Sequence, residues 1–335
     1  MTTLKRWVLR HRPVGEIQPG DLEFVEEPIR DLADGEVLVR TLYLSLDPTN
    51  RIWMSDQDQY MPPVQIGDTM RGGSLGVVAQ SRSDRFKQGD VVNTGLGGWS
   101  SHVIANGAFL MPAPQLPGVP LTAYMSVLGA TGLTAWFGLC EIGKPQPGET
   151  VVVSAAAGSV GSIVGQIAKI KGCHVVGIAG GKDKCHWLTS ELGFDAAVDY
   201  KDGGTYKALR AAAPKGIDVY FDNVGGDILE ACIAQMNNRG RIACCGAISQ
   251  YDGVPSAHGP RGVPGLIVVK RLIMQGFIVM DYMDQREQAL ADLQSWVASG
   301  KLKVQEDVID GLENTPKALI GLLAGENRGK RMVKV

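Results

Sequence analysis

Residues 151–161 read VVVSAAAGSVG, and this stretch decides the fold. Its apolar start predicts a buried strand, and the small residues that follow predict a tight turn. Residues 162–169 then show the apolar spacing of a helix. Together they form a cradle whose backbone N–H groups can face a dinucleotide pyrophosphate. Ala156 replaces the first glycine of the usual G-x-G-x-x-G pattern, so a small-residue turn without a ligand remains the alternative.

Strand and helix patterns alternate from residue 149 to residue 299. Six strands in such a series are typical of a parallel, doubly wound α/β Rossmann domain. A polar loop, rich in Gly and Pro and running to Pro264, follows the fifth strand. The predicted strands are 151–154, 174–179, 196–198, 217–221, 241–245 and 275–280, and the predicted helices are 159–171, 182–192, 205–212, 227–236 and 284–299.

The first 120 residues predict β-structure without such alternation. Their short strands are separated by Pro, Gly and Asp, which suggests an antiparallel barrel. The proline-rich residues 111–120 predict a rigid connection, and residues 121–139 predict two helices with a turn near Ala130-Thr131-Gly132. The predicted strands are 4–9, 36–45, 72–79, 89–94 and 101–105.

The C-terminal residues 301–335 predict two strands, a helix and a polar turn, and they do not continue the alternation. We expect them to return to the first domain. The predicted division is therefore a split barrel domain, residues 1–122 and 301–335, with a nucleotide-binding domain, residues 123–300, inserted into it.

Composition excludes several classes of partner. Of the 335 residues 44% are hydrophobic and 20% charged, and the net charge of −2 comes without a long basic run, so nucleic acid is not an expected partner. No apolar run reaches the ~18 residues of a membrane span, so no membrane partner is expected. Charges interrupt the apolar N-terminus, and the six cysteines show no C-x-x-C spacing, which predicts reduced thiols, no metal site and a cytoplasmic location.

The tip of the second predicted Rossmann strand indicates which nucleotide binds. An NAD site carries Asp or Glu about 20 residues after the glycine turn. Here Gly180 leaves no carboxylate at the tip, and Lys182 and Lys184 offer positive charge to a 2′-phosphate, which predicts NADP(H). The alternative is that both lysines are solvated residues of a helix start.

Three stretches lie where substrate chemistry is expected, at the carboxyl ends of the strands or in a turn that returns to them. The first, 222–226, contains Asn223, which could bond a ribose or carboxamide or could cap a helix. The second, 245–252, contains Tyr251, whose phenol could hydrogen-bond a substrate carbonyl and stabilise an enolate, or could lie in a surface turn. The third is the polar turn 325–330.

The sequence also favours one class of hydride acceptor. His11 and His102 stand alone in the first domain, and no cysteine accompanies them, so metal-ligand spacing is absent. A conjugated C=C–C=O group suits transfer without a metal, because hydride enters at the β-carbon and the charge moves to an oxygen that hydrogen bonds can stabilise.

Five motifs together resemble a known family, the zinc-independent medium-chain dehydrogenases/reductases. The similarity is strongest to the prostaglandin, 2-alkenal (double-bond) and curcumin reductases. It implies a Rossmann domain inserted into a GroES-like barrel, NADP(H), reduction of small-molecule α,β-unsaturated carbonyls, and a homodimer joined through the last Rossmann strand, residues 275–280. The motifs are GATGLTA at 129–135, AAAGSVG at 155–161, FDNVGG at 221–226, CGAISQY at 245–251 and GENRGK at 325–330.

The resemblance also implies roles for individual residues. Tyr251 matches the tyrosine at the substrate carbonyl. The family's D-P-Y-M-R motif reads D-P-T-N-R here, so Thr49 and Asn50 would line a pocket that is wider or more polar without the aromatic ring. The implied cofactor contacts are Gly158, Ser159, Val160 and Gly161 to the pyrophosphate; Lys184 and Tyr200 to the 2′-phosphate; and Asn223, Cys245, Gly246, Ala247, Ile248, Ser249, Tyr251, Phe277, Ile278, Val279 and Asn327 to the remainder.

Two other functions remain open at this stage. A quinone reductase would act on a chemically related conjugated carbonyl. A crystallin-like or regulatory relative would bind NADPH without turnover, and it would have no need of a hydrogen-bond donor at Tyr251.

Overall fold

The computed structural model describes residues 3–57, 59–116, 118–252 and 259–335. Residues 253–258, part of the polar loop that the sequence predicts, lie outside the described residues. The strands are β1 (Thr3–Leu9), β2 (Leu22–Pro28), β3 (Glu36–Ser45), β4 (Ser74–Ser81), β5 (Val91–Asn93), β6 (His102–Asn106), β7 (Met111–Pro112), β8 (Thr150–Val153), β9 (His174–Ala179), β10 (Ala196–Asp199), β11 (Ile217–Asp222), β12 (Met236–Cys244), β13 (Ile273–Gly276), β14 (Glu306–Asp310) and β15 (Lys330–Lys334). The helices are α1 (Thr49–Trp53), α2 (Ala130–Phe137), α3 (Ser159–Ile170), α4 (Lys182–Ser190), α5 (Thr205–Ala212), α6 (Gly226–Ile233), α7 (Val263–Lys270), α8 (Arg286–Ala298) and α9 (Thr315–Leu323).

Six strands form one parallel sheet in the order β10-β9-β8-β11-β12-β13. All four residues of β8 are buried, as expected for a central strand covered by helices on both faces. The strand order reverses between β8 and β11, and the crevice at such a point, outside the carboxyl ends of the strands, is where ligands bind. The predicted doubly wound α/β fold is therefore confirmed.

Seven further strands form a mixed, largely antiparallel sheet that contains the C-terminal strand, whereas β1 and β2 form a separate two-stranded sheet. The order of the larger sheet is β14-β15-β3-β4-β5-β7, with β6 also paired to β3. The C-terminal strand β15 pairs antiparallel with β3 through Met332–Ser45, Val333–Leu44 and Lys334–Tyr43. One hydrophobic cluster contains side chains from both the N-terminal segments and residues 312–333, so residues 301–335 pack with the N-terminal part of the chain.

The last two predicted strands of the parallel sheet were wrong in their bounds, and β12 already begins at Met236. The sequence predicts a strand over residues 275–280, but β13 ends at Gly276 and a 3₁₀ segment begins at Val279. Only residues 273–276 pair with β12. The chain then turns inward because the ring of Phe277 packs against Gly138, where a Cβ atom would lie 2.3 Å from the ring.

Other local predictions also needed correction. The turn expected near residues 130–132 is the first turn of α2, because Gly129 precedes that helix in an extended conformation. The helix predicted to reach Met236 ends at Ile233, and Met236 already pairs with Ile217 in the sheet. The sequence analysis missed β2, β7 and α7, which are short or lie among prolines and polar residues.

Candidate active site

The turn after β8 is made of backbone and small side chains. Ala155 has a left-handed φ of +46°, the strained position of the turn, whereas Ala156 keeps an ordinary φ and donates its N–H to Ile178 O at 3.0 Å. Alanine in place of the first motif glycine therefore needs no unusual backbone. Gly158 precedes α3, and residues 158–160 stay half-buried, with the helix N-terminus directed to the crevice.

Gly161 is the motif glycine that the packing requires. A Cβ atom there would lie 2.4 Å from Ala155 O and 2.8 Å from Ala156 Cα, so any side chain would push α3 away from the turn. At Gly158 the same atom would lie 3.1 Å from Ala155 O, which is tight but less severe. The C-terminal polar turn reaches this place too, because Gly329 N donates to Ala157 O at 2.8 Å.

The tip of β9 contacts two side chains from the 3₁₀ segment that follows β10. A Cβ atom on Gly180 would lie 2.9 Å from the hydroxyl oxygen of Tyr200 and 2.9 Å from Cε of Lys201. The next residue, Gly181, has a φ of +99° and donates its N–H to Asp199 Oδ1 at 2.8 Å. Glycine at position 180 therefore lets a phenol and a lysine side chain approach the tip of β9 closely.

Lys184 is the lysine of the α4 start that points into this region. Its Nζ donates to Gly325 O at 2.6 Å, whereas Lys182 is exposed. Burial, and then the nearby cations Lys201, Arg331 and Arg328, lower the pKa of Lys184. This concentration of positive charge favours an anion. The sequence analysis gave no role to Lys201 or Arg328, because their proximity depends on pairing between distant segments.

A buried carboxylate organises the turn after β11. Asp222 Oδ1 accepts hydrogen bonds from Tyr220 Oη (2.7 Å), Val224 N (3.0 Å) and Gly225 N (2.9 Å). Gly225 combines φ +71° with ψ −153°, a conformation that is essentially restricted to glycine. The backbone dihedrals at Gly225 are themselves a sufficient reason for glycine at this position.

Asn223 joins this turn to the cradle. Its N–H donates to Ser154 Oγ at 2.9 Å, and its side-chain Nδ2 donates to Ser154 O at 2.7 Å. It does not cap α6, which has no side-chain cap, and Asp222 bonds the N–H groups of Val224 and Gly225 just before that helix. Asn223 therefore lies between β8 and β11, at the point where the strand order reverses.

The segment after β12 wraps over the same turn and positions Tyr251. Cys245 N and Gly246 N donate to Asp222 O at 2.8 and 3.1 Å. The Tyr251 oxygen accepts the N–H of Ala247 at 3.0 Å, so the phenolic proton stays available for a second partner. Burial is the main cause that raises the pKa of Tyr251.

The loop after α1 contributes a second phenol. Tyr60 lies close enough to Tyr251 for its charge to affect the pKa of that residue. Burial, and then the charge of Asp47, raise the pKa of Tyr60 itself. The sequence analysis missed Tyr60, because a single tyrosine in a polar loop has no periodic or motif signal.

The two residues expected to line the substrate pocket have different surroundings. Thr49 is half-buried at the start of α1. Asn50 is fully buried: its Oδ1 accepts Asp47 N at 2.8 Å and its Nδ2 donates to Arg71 O at 2.8 Å. Its amide therefore stabilises the loop and does not face an open pocket.

The rest of the D-P-T-N-R motif connects three parts of the chain. Arg51 is buried and its Nη2 donates to Pro13 O, Gly15 O and, at 3.0 Å, Asp252 O next to Tyr251. Asp47 pairs with the buried ammonium group of Lys330 in the C-terminal turn. These contacts hold the loop of Tyr251 and the polar turn to the barrel sheet.

The remaining candidates border the same crevice. Phe277 lies edge-on to Phe221 with ring centroids 6.3 Å apart, and Ile278 and Val279 are half-buried after it. Asn327 is buried and donates from Nδ2 to Gly329 O at 2.9 Å, inside the turn that contacts the cradle. The structure therefore brings most of the candidates to the carboxyl ends of the strands of the parallel sheet.

The cysteines lack the properties of metal ligands or nucleophiles. Among the described residues no three His, Cys, Asp or Glu side chains gather as a metal site would require, so the side chains present do not fit zinc. Burial raises the pKa of Cys245 to about 12 and that of Cys244 to about 11, so both remain thiols at neutral pH. No helix in the described part of the chain has the length and apolar character needed to cross a membrane.

Known proteins resemble this chain over its whole length. Residues 5–113 match the N-terminal domain of oxidoreductase, and residues 159–295 match the family described as zinc-binding dehydrogenase. The chain is 42% identical to the NADPH-dependent curcumin reductase of Escherichia coli (strain K12), over 99% of this chain and 96% of that protein. It is 44% identical to prostaglandin reductase 1 of Bos taurus, over the full length of both.

Among solved structures, the crystal structure of CurA in complex with NADPH from Vibrio vulnificus superposes with a TM-score of 0.94 at 40% identity, and the match covers 99% of each chain. Relatives of this identity over the full length share a family. The chain therefore belongs to the medium-chain dehydrogenase/reductase superfamily, in the subgroup of the prostaglandin and curcumin reductases.

Proposed function

We propose that the protein uses NADPH to reduce the C=C bond of α,β-unsaturated ketones and aldehydes. The observation that carries this proposal is the Tyr251 phenol, whose oxygen is engaged by Ala247 N while its proton is free. It lies at the carboxyl end of the parallel sheet, beside a cradle built for a dinucleotide. The relatives named for curcumin and prostaglandin reduction support the same substrate class.

The residues of the crevice fit NADPH. Gly161 lets α3 begin directly against the turn, so that the N–H groups at its start can face a pyrophosphate. Gly180 lets Tyr200 approach the tip of β9, where Lys184 supplies positive charge for a 2′-phosphate. When bound, NADPH supplies the hydride. The residues that would hold it are Gly158, Ser159, Val160, Gly161, Lys184, Tyr200, Asn223, Cys245, Gly246, Ala247, Ile248, Ser249, Phe277, Ile278, Val279 and Asn327.

Tyr251 acts on the substrate carbonyl. Negative charge develops on the carbonyl oxygen as the β-carbon is reduced, and a preorganised donor stabilises that charge more in the transition state than in the ground state. Because burial raises the pKa of Tyr251, the phenol keeps its proton and acts as a hydrogen-bond donor at neutral pH. Arg51 holds the backbone of Asp252 and so keeps the phenol in position.

The proposed organisation has two domains, residues 1–122 with 301–335, and residues 123–300. A homodimer through β13 is supported by the exposure of all four residues of that edge strand, including Ile273 and Met274, and of Val268 and Val269 on α7. An unpaired apolar edge is a template for pairing with a second copy. The six free thiols support a cytoplasmic location.

The function is tested by following NADPH oxidation with a simple enal, an enone and a quinone in parallel, with identification of the products. Consumption of the enal and enone, with the carbonyl retained and the C=C bond saturated, is the expected result. Turnover of the quinone alone would show a quinone reductase. Binding of NADPH without consumption of any of the three would show a non-catalytic protein.

A further inference from the structure

Arg328 lies near the tip of β9 and Lys184. Its guanidinium group lies over the ring of Trp187, 5.5 Å from the ring centroid. Trp187 is buried on α4, three residues after Lys184 and therefore on the same face of the helix. The Trp187 ring therefore holds the guanidinium group close to the Lys184 side chain, whose pKa it helps to lower.

The described carboxylates neutralise the positive charges here only in part. Arg331, also nearby, pairs with Asp307 at 2.8 Å and with Glu326 at 3.5 Å. Within the described ranges, none of the ion pairs involves Lys184, Lys201 or Arg328. Three cations from three segments of the chain thus gather near the tip of β9 without an ion pair of their own, an arrangement that suits a dianion. The neighbouring carboxylate of Asp199 is bonded to the N–H groups of Gly181 and Lys201.

We propose that Arg328 is a specificity-determining residue that binds the 2′-phosphate of NADPH, together with Lys184, Tyr200 and Lys201. The inference rests on the proposed use of NADPH and adds a residue from the C-terminal polar turn to that site. A planar guanidinium can engage two phosphate oxygens with two parallel N–H donors, whereas a lysine acts as a point charge. Stacking on Trp187 leaves the edge of the guanidinium, where its N–H groups lie, free for this purpose.

The position of Arg328 also gives the contact a structural consequence. The turn 325–330 leads into β15 of the largely antiparallel sheet, whereas Lys184 and Lys201 belong to segments that follow strands of the parallel sheet. A 2′-phosphate bound by all three would join the two parts of the molecule. A nucleotide that lacks this phosphate would lose the contact with Arg328 and this link.

The test uses ligand fragments, so that it does not depend on turnover. Titration calorimetry of the full-length protein measures the affinities of adenosine 2′,5′-bisphosphate and of 5′-AMP, which lacks the 2′-phosphate. Arg328→Met keeps an apolar chain over Trp187 and removes the charge. We expect it to weaken adenosine 2′,5′-bisphosphate about 10- to 100-fold, the size of a charge-assisted contact, and 5′-AMP less than about twofold.

Arg210→Met is the matched control. Arg210 is an exposed arginine near the end of α5. That helix end lies at the amino ends of the strands, away from the tip of β9, because His174 Nε2 at the start of β9 is 3.1 Å from Ala212 O. We expect this variant to leave both affinities unchanged. Arg328→Lys, which keeps the charge without the planar fork, should give an intermediate loss, and it serves as the test if Arg328→Met does not fold.

The outcomes separate this inference from the proposed function. If the unaltered protein prefers adenosine 2′,5′-bisphosphate but the Arg328 variants keep that preference, or lose both ligands equally, the role of Arg328 is refuted and NADPH use stands. If the unaltered protein binds both fragments alike, NADPH selectivity and the role of Arg328 fail together. If binding behaves as expected but no enal or enone is reduced, only the proposed reaction fails.

Discussion

The two ends of the crevice are built in opposite ways. At the phosphate end, around Gly180 and Lys184, glycine lets side chains approach the backbone closely, and several cations form no ion pair among the described residues. At the reaction end, around Asp222 and Tyr251, nearly every polar group is bonded within the protein and one phenolic proton is left over. Affinity for a cofactor is therefore spread over many groups at one end, while chemistry depends on a few rigidly held groups at the other.

Breaking the cradle should have the largest effect on this comparison. Gly161→Val places side-chain atoms where a Cβ atom already lies 2.4 Å from Ala155 O, so α3 must move. We expect a loss of stability of about 3 kcal/mol or more and no measurable NADPH binding. Thermal melting and fluorescence titration measure the two quantities.

Gly158→Ala is the control for that substitution. Its nearest contact would be 3.1 Å, which a small shift can relieve, so we expect a stable protein with reduced NADPH affinity. Normal melting and normal binding of Gly161→Val would contradict the close packing of α3 on the turn.

At the reaction end, Tyr251→Phe removes one hydroxyl and leaves the ring in place. We expect kcat to fall about 100-fold, as for the loss of one donor to a developing oxyanion, with little change in NADPH affinity. Steady-state kinetics with an enone provides the measurement. Tyr206→Phe, which alters an exposed tyrosine of α5, should behave like the unaltered protein, and an equal kcat for all three would remove Tyr251 from the mechanism.

The pH dependence should report the same phenol. Tyr251 works as a donor only while protonated, and burial raises its pKa above the ordinary value of about 10. The contribution of Tyr251 to kcat should thus be complete at neutral pH and decline only as the pH rises through that raised pKa. A decline of kcat near pH 7 that disappears in Tyr251→Phe would contradict this assignment.

A smaller effect is expected from Lys184→Ala at the phosphate end. The loss of one charge-assisted contact should weaken NADPH about 10- to 30-fold, because neighbouring cations remain, and it should leave NADH within about twofold. Parallel titrations with both nucleotides measure the difference. Equal losses for NADPH and NADH would show that Lys184 supports the fold and does not read the 2′-phosphate.

The smallest effect concerns the link between the two ends. Asp47→Asn leaves the buried ammonium group of Lys330 without its carboxylate. Removing one partner of a buried pair is costly, but Asp47 is about one-third exposed, so we expect a loss of only about 1 to 2 kcal/mol in the free energy of unfolding. Urea denaturation measures it, and Asp34→Asn, at a surface pair, should change nothing. Identical midpoints for the two variants would argue against the link.

Much of the parallel sheet was predictable because most of its strands and helices carry a local signal. Strand β9 and helix α5 have the predicted bounds, and the ends of β8 and α3 differ from the predicted ones by at most one residue. The barrel sheet was less predictable: β2 lies among charged residues and β7 contains a proline, so neither shows the alternation of a strand. The end of β13 depends on where Phe277 packs, which no local pattern encodes.

The candidate site divides in the same way. Glycine motifs and a tyrosine in a loop after a strand are visible in the sequence, because the backbone geometry they need restricts residue type locally. The roles of Asp222, Arg51 and Lys330 are not visible, because each depends on bonds to segments far away along the chain.

The sequence by itself determined the fold class, the cradle at residues 151–161 and the preference for a 2′-phosphate. Each follows from a local property: periodicity, glycine placement, and the absence of a carboxylate at Gly180. Only the tertiary structure decided which charges remain unpaired around Lys184, that Asn50 is bonded internally, and that Arg328 stacks beside the site. The physical reason is that electrostatic compensation and burial are set by distances between segments, and chain folding alone fixes those distances.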